Sequence, residues 1–69
     1  MTQKELLYVE DAIGHEQNII CILEETLNNL EDDELASFIS KQINKHDNVR
    51  EKLMNLLEDK SNEWWGING

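Results

Sequence analysis

Glu16 and His46 are the residues of this sequence best suited to chemistry by type and position. A carboxylate facing an imidazole shares a proton with it, and the two form a mixed oxygen and nitrogen donor set for a divalent metal. Each interrupts an apolar rhythm. Leu6, Val9, Ile13, Ile20, Leu23, Leu27 and Leu30 recur at spacings of three, four or seven, and Glu16 stands between Ile13 and Ile20 where that rhythm asks for a hydrophobe. His46 lies in a second run, Leu35, Phe38, Ile39, Gln42, His46, Val49, Leu53 and Leu56, which Ile43 and Leu57 widen. Two readings of the pair compete. It is a hydrogen-bonded polar layer that fixes register in an apolar seam, or it is a metal site in which twofold symmetry brings two copies together as Glu2His2. His15 and Asp47 are the sequence neighbours of the pair.

Other chemistry-bearing residues are few. There is no glycine-rich phosphate loop, Cys-x-x-Cys, His-Glu-x-x-His or nucleophile elbow, so no catalytic residue is assigned and a non-enzyme without cofactor is expected. Cys21 stands alone among acidic and apolar neighbours that do not stabilise a thiolate, which predicts a small packed hydrophobe. Gly14 costs about 1 kcal/mol relative to Ala inside a helix, and close approach of a neighbouring helix is the expected reason, with a kink or ligand access as the alternative. Trp64 and Trp65 either plug the end of a helical bundle or anchor another protein; Trp64 continues the Leu57 column by one heptad and is expected to pack, Trp65 to be exposed.

The elements that must position these residues are two helices. Thr2 followed by Glu5 is a capping box, and helix 1 is predicted over about 3–30. Glu31-Asp32-Asp33-Glu34 is the turn, with Asp32 or Asp33 as N-cap of a helix over about 33–60 that Ser61-Asn62 ends. Residues 61–69 are then a Trp-containing tail, its final Gly66-Ile67-Asn68-Gly69 disordered. Near-equal helices joined by so short a turn fold back as an antiparallel hairpin, which sets residue 16 level with residues 46 to 49. The fold class is all-α. The run Ile19-Ile20-Cys21-Ile22-Leu23 is apolar around the whole helix, so a second surface must cover what the hairpin leaves open. A homodimer forming a four-helix bundle is expected, with Ile19, Ile20, Ile22 and Leu23 in self-association.

Composition restricts the partners. The 69 residues carry 15 acidic and 6 basic side chains for a net charge of −9, which excludes phosphate backbones and anionic lipid, so neither nucleic acid nor a membrane surface is expected. Residues 1–34 hold ten acids and one base while residues 35–69 balance at five of each. That asymmetry is a solvated face or a surface aimed at a cationic partner. No long apolar segment is present, Met1 to Glu5 lack the apolar core of a signal peptide, and a lone cysteine suits a reducing compartment; the expected location is the cytoplasm.

The layout Thr2-Gln3-Lys4-Glu5-Leu6-Leu7, Glu10-Asp11 and Glu16, then Asp33-Glu34-Leu35, Gln42-Ile43-Asn44-Lys45-His46-Asp47-Asn48 and Leu53-Met54-Asn55-Leu56-Leu57, resembles the small CotF-like spore coat proteins of spore-forming Firmicutes. The resemblance covers residues 2 to 58. It implies half of a ferritin-like helical bundle and a non-enzymatic coat or assembly role, in the mother cell or spore coat. In ferritin-like metal sites one helix supplies a Glu, matched by Glu16, and the next a Glu-x-x-His, of which His46 is present while Ile43 stands at the Glu position. Three functions therefore stand side by side: a structural or protein-interaction protein, a ferritin-like metal-binding half-bundle using Glu16 and His46, and a small acidic inhibitor, of a kind phages encode, directed at a basic nucleic-acid-handling protein.

Overall fold

The computed structural model describes the backbone of residues 1–68 and the side chains of residues 1–60. It is all-helical: α1 spans Gln3–Asn28 and α2 spans Asp33–Asn68, packed along one another as a hairpin. Thr2 caps α1 reciprocally, its N–H donating to Glu5 Oε1 at 2.9 Å and its hydroxyl oxygen accepting from the Glu5 N–H at 3.1 Å. The chain turns after Asn29, whose side-chain Nδ2 donates to the Glu25 carbonyl at 2.8 Å. Asp32 is the N-cap of α2, accepting from the Leu35 N–H at 2.9 Å, and Asp33 and Glu34 place negative charge in its first turn.

The second helix does not stop at Ser61-Asn62. It continues to Asn68, because Ser and Asn disfavour helix by only tenths of a kcal/mol and the chain has no proline to break it. The bounds expected for α1 and for the start of α2 agree with the structure to within about two residues, a normal tolerance at helix ends.

Every residue of the anticipated stripe is half-buried, Leu6 through Leu27 in α1 with Glu16 included and Leu30 just beyond its end. In α2 the seam differs from the expected one. Ala36, Ile39, Ile43, His46, Arg50, Leu53 and Leu57 are half-buried at strict three-four spacing, whereas Leu35, Phe38, Val49 and Leu56 are exposed. Two neighbouring columns of α2 are both rich in hydrophobes, and a two-helix contact covers only one of them.

Register follows from the contact between residues 16 and 46. Moving along antiparallel helices from that layer brings Ile20 level with Ile43, Leu23 with Ile39 and Leu27 with Ala36 toward the turn. In the other direction Ile13 is level with Arg50, Val9 with Leu53 and Leu6 with Leu57. The polar pair is the middle of seven layers.

The hairpin is a rod of 53 × 15 × 12 Å with a radius of gyration of 16.0 Å, against about 11 Å for a compact domain of this length. Among the described residues no side chain is fully buried.

Candidate functional site

His46 Nδ1 donates to Glu16 Oε2 at 2.6 Å, linking α2 to α1 across the seam. The side chains retain 29% and 19% exposure, so water still reaches a pair that sequence alone placed inside. One turn further along α2, Arg50 occupies a seam position level with Ile13. Its Nη2 donates to Asp47 Oδ1 at 2.7 Å, and its Nε is buried without a hydrogen-bond partner among the described residues. The apolar pattern of the sequence did not single out Arg50 as a seam residue. Its spacing from Ile43, His46 and Leu53 carried the signal, since it falls in the same three-four column.

His15 is exposed and apart from the layer, and Asp47 is engaged by Arg50 rather than by His46. Among the described residues no three His, Cys, Asp or Glu side chains gather as a metal-ligand set. The polar layer within one chain is a single hydrogen-bonded pair, Glu16 and His46. As a chemical device it fixes which residues of α1 and α2 meet, since sliding either helix by a turn would strand both groups.

Cys21 is exposed, contrary to the expectation of a packed thiol. It borders an open groove with Gln17, Glu24 and Asp47, at whose base lie the seam residues Ile20 and Ile43. A second groove, with Glu10, Asn55 and Glu58 at its edge, lies over Ile13 and Leu57. Both grooves mark the same polar face. Gly14 belongs to it too, and a methyl group there would meet nothing within 4 Å, so close helix approach within the chain does not explain the glycine.

The opposite face is apolar. Helical geometry puts Tyr8, Ala12, Ile19 and Ile22 on the far flank of the α1 seam, and Leu35, Phe38, Val49 and Leu56 on the same side of α2. Tyr8 is 63% exposed, Ile22 61% and Phe38 57%. Of the residues expected to self-associate, Ile20 and Leu23 lie in the hairpin seam, while Ile19 and Ile22 lie on this open flank. The readings for Trp64 and Trp65 fall outside the residues whose side chains are described.

At the helix start, Glu5 is held below the usual carboxylate range, first by the Thr2 backbone N–H, then by the Thr2 side chain. Smaller contributions in the same direction come from the N-terminal ammonium and Lys60. The influence of Lys60 on Glu5 agrees with the register, which sets residue 60 level with the start of α1.

No protein-family model, no curated protein and no solved structure matches the chain. No helix among the described residues is long and apolar enough to cross a membrane.

Proposed function

We propose that this chain is a non-enzymatic assembly protein that acts through self-association of its hairpin into a four-helix bundle. The reading rests on one apolar flank, where six of the eight exposed large hydrophobes among the described residues stay in water although the hairpin is formed, Leu7 and Met54 lying on the other face. A cytoplasmic coat or scaffold component, of the kind the spore coat resemblance implies, is the setting in which such a module serves.

Sedimentation equilibrium of the full chain across micromolar concentrations tests the proposal, with a dimer or larger species expected. A cooperatively folded monomer throughout that range would overturn it and leave the apolar face to a different protein.

A further inference from the structure

Resting on that self-association reading, we infer that assembly takes up protons at the middle layer: two copies join more tightly when both His46 imidazoles are charged, so the Glu16–His46 pairs make self-association respond to pH.

The apolar flank fixes where the pairs go. Leu35 and Leu56, the end residues of that flank on α2, lie eleven positions before and ten positions after His46. A twofold dimer that overlaps the whole flank has its axis along the rod or across it at mid-length. The first leaves height unchanged and the second returns the middle to itself. Either therefore brings the second Glu16–His46 pair to the level of the first. Both residues lie on the edge of the seam that adjoins the flank, which turns them toward the centre of four helices. The second copy thereby covers the 29% and 19% exposure that His46 and Glu16 keep in one hairpin.

The charge enclosed at that centre depends on the imidazoles. Across the seam, α1 presents Glu16 itself to His46. The inner columns of the flank that close over the layer carry Ala12, Ile19, Gln42 and Val49, none of them charged. His15 and Lys45 stand on the outer columns of the flank, and Arg50, one turn along α2, is bonded to Asp47. With neutral imidazoles the closed layer holds two carboxylates and no compensating charge, which like-charge repulsion and loss of water both disfavour. With both imidazoles protonated every charge is paired through a charge-assisted bond, for which the 2.6 Å contact is short enough. The dimer therefore binds these protons more tightly than separate hairpins do. Association strengthens as pH falls through the range in which histidine gains its charge and weakens as pH rises through it.

Sedimentation equilibrium of the full chain from about pH 8 to about pH 6, at fixed ionic strength and with a metal chelator present, tests the inference. The dissociation constant should fall by about tenfold over that interval, the change that one proton taken up per dimer produces per unit of pH. Three variants separate the layer from the rest of the surface. Glu16→Leu with His46→Leu removes both pairs and should lose most of the trend, keeping only what His15 and the net charge of −9 contribute. Glu16→Gln retains an acceptor for His46 Nδ1 but leaves a layer that protonation makes positive, so this variant should associate more weakly as pH falls. His15→Gln should follow the unmodified chain. A dimer whose dissociation constant does not move with pH, a double variant with the full trend, or a Glu16→Gln chain with the original sign would overturn the proton-linked layer and leave self-association standing. A monomer at every pH would overturn both.

Discussion

Glu16 and His46, thirty positions apart in the chain, meet at 2.6 Å in the middle of the seven layers of the hairpin seam. Three layers flank them on each side, and a slip of either helix by a turn separates the two groups. Replacing one member strands the other. Glu16→Leu or His46→Leu alone should lower stability by about 1–2 kcal/mol, while the double replacement extends the apolar seam and should cost less than either single change. Chemical denaturation of the three variants checks this. Additive losses would show that the two groups do not act together.

The capping box at Thr2 and Glu5 gives a pH prediction with a definite sign. Glu5 in the folded chain lies below its ordinary range, chiefly through the Thr2 N–H, so it binds its proton less readily than in the unfolded chain. Its stabilising contribution is therefore complete above the ordinary glutamate range and is lost as pH falls through the lower folded value. Glu5→Gln should flatten the acid limb of a stability-against-pH profile without moving stability between its parts near neutral and alkaline pH. Thr2→Ala should cost about 1 kcal/mol at neutral pH.

The architecture was legible where one apolar column was clearly the stronger. In α1 the column from Leu6 to Leu30 is broken only at Glu16, its neighbour Tyr8, Ala12, Ile19 and Ile22 is shorter and interrupted at His15, and the stronger one became the seam. α2 has two adjacent columns, Ala36 to Leu57 and Leu35 to Leu56, and periodicity near 3.5 fits both. The choice between them depends on how α2 rotates against α1. Arg50 in the occupied column and Lys45 and Lys52 in the open one blurred the contrast further. The far end of α2 was hidden because Ser61 and Asn62 are weak stop signals. The Glu16–His46 contact was legible because a short turn fixes which residues are level; its partial exposure was not, since depth depends on how many helices surround the layer.

Gly14 supplies a test of which face is used. Nothing lies within 4 Å of a methyl group at that position, and its φ is negative, so Gly14→Ala adds no clash and removes unfolded-state freedom. The hairpin should gain up to about 1 kcal/mol. Because Gly14 lies on the polar face, the dimer dissociation constant should stay within about twofold, well under the tenfold that corresponds to 1.4 kcal/mol. A loss of association on adding this one methyl group would move the interface to the polar face.

A twofold dimer of hairpins has two arrangements, with the axis along the rod so that α1 meets the partner's α2, or across the rod so that like helices meet, and the sign of one charge reversal separates them. With the axis along the rod, Lys52 is attracted to the partner's Asp11, and Lys52→Asp turns two attractive rim contacts per dimer into repulsive ones. Exposed ion pairs contribute about 0.2–1 kcal/mol each, so self-association should weaken about tenfold at low salt, and less as added salt screens the rim. With the axis across the rod, Lys52 faces the partner's Lys41, and the same substitution relieves repulsion and strengthens the dimer. Asp11→Lys completes the experiment. Each variant alone should associate poorly, yet a mixture of Lys52→Asp and Asp11→Lys chains pairs Asp11 with Lys52 at one rim and the two reversed residues at the other. Mixed dimers should then dominate by native mass spectrometry, while circular dichroism of each variant verifies that its helices are intact. Stronger self-association of the Lys52→Asp chain would place like helices together across the interface.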